Sequence, residues 1–89
     1  MNVLIDTNVV LDVLLMREPF YENSRRVIAL SEKNVITGYV SASAATDIFY
    51  LVRKEFQDTN KTYNALRSIF ETIRISAVNE ETVHITRAI

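Results

Sequence analysis

The segment VLIDTNVVLDVLL, residues 3–15, places one short apolar run directly before a carboxylate and a second apolar run soon after it. The first run, over 2–5, is rich in β-branched residues and predicts a buried strand that ends at Asp6. The second run is apolar on most sides and predicts a helix over 8–15 that packs against more than one neighbour. A buried strand that turns at once into a buried helix is typical of an α/β fold.

The rest of the chain repeats this alternation of strand and helix patterns. Short apolar runs and helical periodicity predict further strands over 35–40 and 74–78 and further helices over 20–33, 41–56, 59–72 and 79–89. The chain has one Gly and one Pro, so long irregular connections are not expected. We therefore predict a single α/β domain in which a parallel β-sheet is flanked by helices on both faces.

Polar residues at the boundaries of the predicted helices indicate where these helices begin and end. Ser41 or Ser43 is placed to cap the helix after the second strand, and Asp58 or Thr59 is placed to cap the next one. Asn34 is placed to end the preceding helix in a left-handed conformation.

The amino-acid composition excludes several classes of protein and of site. The chain contains no Cys, which excludes disulfides and thiolate metal sites and agrees with a reducing cytoplasm. Its net charge of −1 gives no overall basic signal for nucleic acid, so any phosphate-binding surface must be a local patch. The sequence has neither an apolar stretch long enough to span a membrane nor the pattern of a signal peptide. With one His, a metal site would consist mainly of carboxylates, which suit Mg²⁺ or Mn²⁺ better than Zn²⁺.

Two carboxylates are predicted near the carboxyl ends of the first two strands, where open α/β sheets form their sites. Asp6 ends the first strand, and Asp47 lies in the first turns of the helix after the second. If these strands are neighbours, both side chains point into one crevice, where a divalent cation would relieve their repulsion. Thr7 and Asn8 are placed to orient the Asp6 carboxylate or a water on the metal. The alternatives are that Asp6 caps the helix that begins near Asn8 and that Asp47 responds to the dipole of its own helix.

For the other charged and aromatic residues, a structural role is favoured over a functional one. Asp12 lies within the first helix, where we expect it in an ion pair with an arginine or at the surface. The lone His84 is expected on the surface of the last helix. Arg53 and Lys54 can meet phosphates, but basic residues on a helix more often form a solvated face. The tyrosines are expected in the core rather than as base-stacking platforms: Tyr21, Tyr39, Tyr50 and Tyr63.

The order of these segments resembles the N-terminal part of a PIN domain, as in VapC-type toxins of bacterial toxin–antitoxin pairs. The segments that carry the resemblance are VLIDTNVVLDVLL, REPF, VSASAATDIFYLVRK, RISAV and NEETV. The resemblance implies a PIN-like α/β/α fold and a ribonuclease that uses Mg²⁺ or Mn²⁺ held by three or four acids. Asp6 matches the first acid of the family and Asp47 the second, which is often Glu there. An RNA substrate, an antitoxin partner and a cytoplasmic location follow from the same resemblance.

The remaining acids of the family lie on later elements, so we expect residues 1–89 to be the N-terminal portion of a PIN-like domain. The last predicted helix reaches Ile89 without Gly, Pro or another residue that would end it, in agreement with this expectation. In the family sheet the first strand is central, so strand 2–5 would here form an exposed apolar edge that a homodimer or swapped assembly would cover. Two acids alone are expected to bind Mg²⁺ weakly and not to assemble a two-metal site.

Two other functions remain open from the sequence. A haloacid-dehalogenase-type phosphatase also begins with an apolar strand and Asp, but the second Asp of that motif, two positions later, is Asn8 here. A catalytically inactive, truncated PIN fragment would keep the fold and act as a binding or oligomerisation module that meets an antitoxin or its own copy.

Overall fold

The computed structural model describes residues 1–75 and, for the backbone alone, residues 83–85. The elements in chain order are β1 (Asn2–Ile5), α1 (Thr7–Leu14), α2 (Tyr21–Glu32), β2 (Thr37–Val40), α3 (Ala42–Phe56), α4 (Thr59–Thr72), β3 (Arg74–Ile75) and β4 (Val83–Ile85). Each of these helices agrees with a predicted helix to within one residue at either end. The alternation of strands and helices confirms the predicted α/β class.

The four strands form one parallel sheet in the order β3–β2–β1–β4. Leu4 in β1 lies opposite Tyr39 in β2 on one side and opposite His84 in β4 on the other. The predicted parallel sheet is therefore confirmed, and β1 is an interior strand. The expectation that this strand forms an exposed apolar edge is wrong, because β4 covers it.

Strand β4 lies where the sequence analysis predicted part of a fifth helix, so that prediction is wrong for residues 83–85. The acids at 80 and 81 favoured a helix start, but Val83 and Ile85 are β-branched and suit an extended backbone. Pairing with the buried β1 also satisfies backbone groups of both strands. The other residues of the predicted helix over 79–89, and the end of the predicted strand over 74–78, lie outside the described residues.

One face of the sheet is fully buried beneath the helices. Val3 and Ile5 in β1 and Val40 in β2 are at most 1% exposed, whereas Leu4 and Tyr39 on the opposite face are half-buried. The alternation follows from the two-residue period of a strand. Helix α1 packs against α2 and α3, and α3 packs against α4, so these four helices form one connected layer over the core. The predicted layer of helices on the other face stays a prediction, because among the described residues all helices belong to this one layer.

Gly38 allows β2 to lie close to the Ile5 side chain of β1 and to helix α2. A Cβ atom at this position would lie 2.7 Å from Cδ1 of Ile5 and 2.9 Å from Oγ of Ser31. The Ser31 hydroxyl accepts a hydrogen bond of 3.1 Å from the Gly38 N–H and donates one of 3.0 Å to the Thr72 carbonyl. Ser31 therefore joins the ends of α2 and α4 to the sheet.

The predicted helix boundaries are confirmed by the hydrogen bonds at their ends. The Ser41 hydroxyl accepts a hydrogen bond of 3.0 Å from the Ala44 N–H at the start of α3. The Asp58 carboxylate accepts one of 3.0 Å from the Lys61 N–H at the start of α4. Asn34, shortly after α2, has a φ of 61° and is the expected left-handed residue.

Candidate functional site

The carboxyl ends of β1 and β2 place the starts of α1 and α3 at the same edge of the sheet. The two strands are parallel neighbours, with Val3 opposite Gly38 and Leu4 opposite Tyr39. Asp6 follows β1 directly, and Ser41 follows β2 directly as the N-cap of α3. This edge is where open parallel sheets form their sites.

Asp6 occupies the N-cap position of α1 but does not use its side chain as a cap. Its backbone carbonyl accepts hydrogen bonds from the N–H groups of Val9, at 3.1 Å, and Val10, at 3.4 Å. Its carboxylate accepts no capping hydrogen bond from the helix and is half-buried. The side-chain capping that the sequence offered as an alternative is therefore not formed, and the carboxylate stays available for a ligand.

The tripeptide Asp-Thr-Asn occurs twice in the chain, each time at the start of a helix. In residues 58–60 the carboxylate of Asp58 caps α4, whereas in residues 6–8 the carboxylate of Asp6 leaves α1 uncapped. The same local sequence therefore caps one helix and leaves the other uncapped, and only Asp6 directly follows a strand. Thr7 and Asn8 directly follow Asp6 in the sequence, lie in the first turn of α1 and are half-buried. Their role in orienting it stays a prediction.

Asp47 is exposed and lies in the second turn of α3, as the sixth residue of a helix that begins at Ala42. The first turn of α3 contains no acidic residue, and Ser41 caps the helix. The favourable effect of a helix N-terminus on a negative charge falls off within the first turn. The helix dipole therefore gives little reason for an acid at position 47. The Asp47 carboxylate is exposed and accessible to a ligand.

The contacts of α3 indicate which side of the helix carries Asp47. Leu51 and Lys54 lie four and seven residues after Asp47, so the three side chains share one side of the helix. These two residues, with Glu55 of α3, line a cavity of about 330 Å³ that is also lined by Leu15 and Arg17, just after α1. Asp47 therefore lies on the side of α3 next to α1, the helix that begins at Asp6.

Asp12 is fully buried and belongs to the packing of α1 against α2. Its carboxylate accepts a hydrogen bond of 2.8 Å from the Ser24 hydroxyl and lies 4.0 Å from Nη1 of Arg17. The prediction of an ion pair with an arginine is confirmed, and the alternative of a surface position is wrong. A carboxylate held in this way has a structural role.

The chemistry of the donor set fits a hard divalent cation. The carboxylates of Asp6 and Asp47 are oxygen ligands, and Mg²⁺ is commonly held by one or two carboxylates with water in its other positions. Among residues 1–75, no group of three or more His, Asp or Glu side chains is close enough to surround a cation. The candidate ligands among the described residues are thus these two carboxylates. The side chain of His84 lies outside the described residues.

Two tyrosines differ from the sequence-based expectation. Tyr50 and Tyr63 are 68% and 62% exposed, so the interpretation of these two as core residues is wrong. Both are displayed on helices whose core positions are filled by aliphatic residues such as Ile48 and Leu66. Tyr50 lies two residues from each of the buried Ile48 and Val52, and this spacing is the sequence signal that places its ring on the outer side of α3. Tyr63 lies three residues before the buried Leu66, so spacing gave no such signal for it.

The chain was compared with known protein families, curated proteins and solved structures. A family model described as the PIN domain matches residues 2–88. No curated protein and no solved structure matches the chain. The match favours the PIN prediction over the dehalogenase-type alternative. Within the described part of the chain, none of the helices has both the length and the apolar character needed to cross a membrane.

Proposed function

Because this chain belongs to the PIN domain family, we propose that it is a ribonuclease that hydrolyses phosphodiester bonds of RNA with Mg²⁺ or Mn²⁺. PIN domains are in general divalent-metal-dependent nucleases that bind RNA. The observation that carries the proposal for this chain is the Asp6 carboxylate, which ends the interior strand β1 without capping α1. We propose that Asp6 and Asp47 are the catalytic metal ligands and that Thr7 and Asn8 position the Asp6 carboxylate.

The chain's own residues supply a defined place for this chemistry. When bound, a divalent cation lowers the pKa of a water molecule and offsets the negative charge that develops on the phosphate. Asp6 is held at the end of a strand that pairs on both sides, so its backbone is fixed. Asp47 is fixed by α3, whose next residue, Ile48, is completely buried. Two rigid elements thus carry the two carboxylates, as a precise ligand arrangement requires.

The test is cleavage of a single-stranded RNA with Mg²⁺, with Mn²⁺ and with EDTA. We expect cleavage by the wild-type chain only in the presence of metal, and a loss of at least about 100-fold for Asp6→Asn and for Asp47→Asn. Binding of Mn²⁺, followed by calorimetry, should weaken in both variants because each loses one ligand. Wild-type cleavage that persists in Asp6→Asn would contradict the assignment of Asp6.

Asp58→Asn is the matched control for Asp6→Asn, because both substitutions act on the first residue of an Asp-Thr-Asn tripeptide at a helix start. Asn caps a helix about as well as Asp, so Asp58→Asn should keep the stability, the metal affinity and the nuclease activity. If both substitutions abolish cleavage equally, the loss reflects damage to helix starts and not the removal of a metal ligand.

The further partners of this proposal are an antitoxin protein and a second copy of the chain, and the proposed location is the cytoplasm, where RNA substrates are available. The argument for a homodimer from an exposed β1 edge no longer applies, because β4 pairs there. A homodimer therefore stays a prediction to be tested by the mass in solution. For a toxin, expression of the wild-type chain should slow bacterial growth, and Asp6→Asn should not.

A catalytically inactive binding module is the alternative function, and the same assay distinguishes it. Such a module would bind RNA or a protein partner and leave RNA intact at every metal concentration. Asp6→Asn would then change neither binding nor growth.

A further inference from the structure

We propose that one outer face of α3 holds a single strand of the RNA substrate beside the Asp6–Asp47 site. This face, called the α3 patch, consists of Phe49, Tyr50, Arg53, Lys54 and Gln57, which line a surface depression of about 280 Å³. The proposal rests on the proposed function, because it names the surface through which the same site takes its substrate.

The aromatic rings of the α3 patch are exposed and are not required for the packing of α3 against the core. Phe49 is 46% and Tyr50 68% exposed, while Ile48 and Val52 of the same helix are completely buried and supply its contact with the core. Exposed rings are the platforms on which unpaired bases stack, and such stacking tolerates any base because every base has a π-face. The two rings therefore suit a nucleic-acid strand.

The basic residues of the α3 patch are not neutralised by neighbouring acids. Arg25, Arg26 and Arg67 each lie within 4.0 Å of a glutamate carboxylate. Within residues 1–75, no carboxylate forms such a pair with Arg53 or Lys54. Both residues lie in the last turn of α3, where the helix dipole favours positive charge. The dipole accounts for the charges but not for two exposed rings beside them, whereas an RNA strand accounts for both.

Two residues of the α3 patch lie on the same side of α3 as the candidate catalytic residue Asp47. Tyr50 and Lys54 lie three and seven residues after Asp47, on the same side of α3. With a rise of about 1.5 Å per residue, Asp47 and Lys54 are separated by about 10 Å along the helix axis. A strand stacked on Tyr50 and paired with Lys54 through a phosphate would thus place a neighbouring phosphodiester near Asp47.

The α3 patch favours a single strand over a duplex. In double-stranded RNA the bases are stacked inside the helix and their faces are not accessible, so exposed rings cannot stack on them. Phosphate contacts through Arg53 and Lys54 alone would not distinguish the two forms. The preference for unpaired RNA therefore depends on the rings and should disappear when they are removed.

The experiment measures the affinity of a labelled single-stranded RNA of mixed sequence by fluorescence anisotropy. Asp6→Asn serves as the background, so that binding is measured without cleavage. We expect Tyr50→Ala to raise Kd about tenfold, in line with the loss of one stacked base. Arg53→Gln should raise Kd several-fold and reduce the slope of log Kd against log salt by about 0.7, as for one phosphate contact on a single strand. A duplex of the same sequence should bind more weakly than the single strand to the Asp6→Asn background protein.

The control variants are Tyr63→Ala and Arg67→Gln on α4. They remove an exposed tyrosine and an exposed arginine four residues apart, just as the test variants remove an exposed tyrosine and arginine three residues apart. We expect both controls to bind RNA like the background protein. Because all four side chains are at the surface, circular dichroism should show an unchanged fold throughout.

The outcomes separate the failure of this inference from the failure of the proposed function. If Tyr50→Ala and Arg53→Gln bind RNA like the controls, the inference is overturned, whatever the wild-type chain does to RNA. If these variants lose affinity but the wild-type chain cuts no RNA, the α3 patch is supported as an RNA surface and the nuclease proposal fails. If they change the mass in solution and leave the RNA affinity unchanged, the α3 patch joins copies of the chain and the inference is wrong.

Discussion

The buried carboxylate of Asp12 gives the most quantitative prediction about stability. Its side chain is 0% exposed and accepts a hydrogen bond of 2.8 Å from the Ser24 hydroxyl, which is itself buried. Asp12→Ala removes the acceptor and leaves that hydroxyl without this partner. A hydrogen bond to a charged group contributes about 1.5–3 kcal/mol, and removal of one member of a fully buried ion pair costs about 3–5 kcal/mol. Because the Arg17 side chain is 34% exposed and 4.0 Å away, its charge is hydrated, and the lower part of this range applies.

We therefore expect Asp12→Ala to lower the free energy of unfolding by about 2.5 kcal/mol. A domain of this size loses about 4–8 °C in Tm for each kcal/mol, so Tm should fall by about 10–20 °C. The measurement is urea unfolding followed by circular dichroism, supported by a thermal scan. Asp12→Asn keeps the shape of the side chain and an acceptor for Ser24, so it should lose only about 1 kcal/mol.

Two further variants show whether the reasoning about Asp12 is correct. Ser24→Ala combined with Asp12→Ala should cost less than the sum of the two single changes, because each removes the same hydrogen bond. Glu18→Gln, an exposed position in the following loop, should change stability by less than about 0.5 kcal/mol. If Asp12→Ala is as stable as Glu18→Gln, the joint between α1 and α2 does not depend on this carboxylate.

Three other changes test the fold and its charges. Gly38→Ala should destabilise the chain by about 1–3 kcal/mol in urea unfolding, because its Cβ would lie 2.7 Å from Ile5 Cδ1 and displace a buried side chain. Ser41→Ala should cost about 1 kcal/mol in the same assay, since the Ala44 N–H loses its acceptor, and Ser41→Asp should restore it. The Arg25 guanidinium, through its hydrogen bond and its charge, lowers the pKa of Glu22 below its ordinary value of 4.5. The Glu22 contribution to stability should therefore be present above that value and fade as the pH falls through the lowered pKa. An NMR titration of the Glu22 carboxylate should show the lowered pKa in the wild-type chain and a pKa closer to the ordinary value in Arg25→Gln.

The sequence predicted the helices because their boundaries are set by local chemistry. Ser41 and Asp58 cap α3 and α4 through hydrogen bonds three residues away, and such short-range contacts are visible in a sequence. Strand β4 was not predicted, because its extended form depends on pairing with β1, about eighty residues earlier in the chain. A strand stabilised by such distant pairing leaves only a weak local pattern.

The candidate site was predictable in part for the same reason. The run of apolar residues before Asp6 placed this carboxylate at a strand end, and the adjacent parallel strands then placed α1 and α3 at one edge. The sequence distinguished Asp12 from Asp6 only by its position within the helix, whereas the structure distinguishes them by burial, with Asp12 fully buried and Asp6 half-buried. The exposed ring of Tyr50 was missed, because the residue was assigned to the core by its type, although its spacing from the buried Ile48 and Val52 favours the outer side of the helix.

The two Asp-Thr-Asn tripeptides show why a short motif does not identify a functional carboxylate. At Asp58 the backbone has φ −144° and ψ 113°, and the carboxylate turns inward to accept the Lys61 N–H. Asp6 follows a strand that pairs with β2 and β4. Its backbone has φ −66° and ψ 145°, and no capping bond forms. The N–H groups in the first turn of α1 therefore have no capping side chain. The helix dipole still favours the negative charge of Asp6 at this end, but only weakly. The proposal that Asp6 binds a cation therefore depends on its position after an interior strand and on the missing capping bond, and not on the Asp-Thr-Asn motif itself.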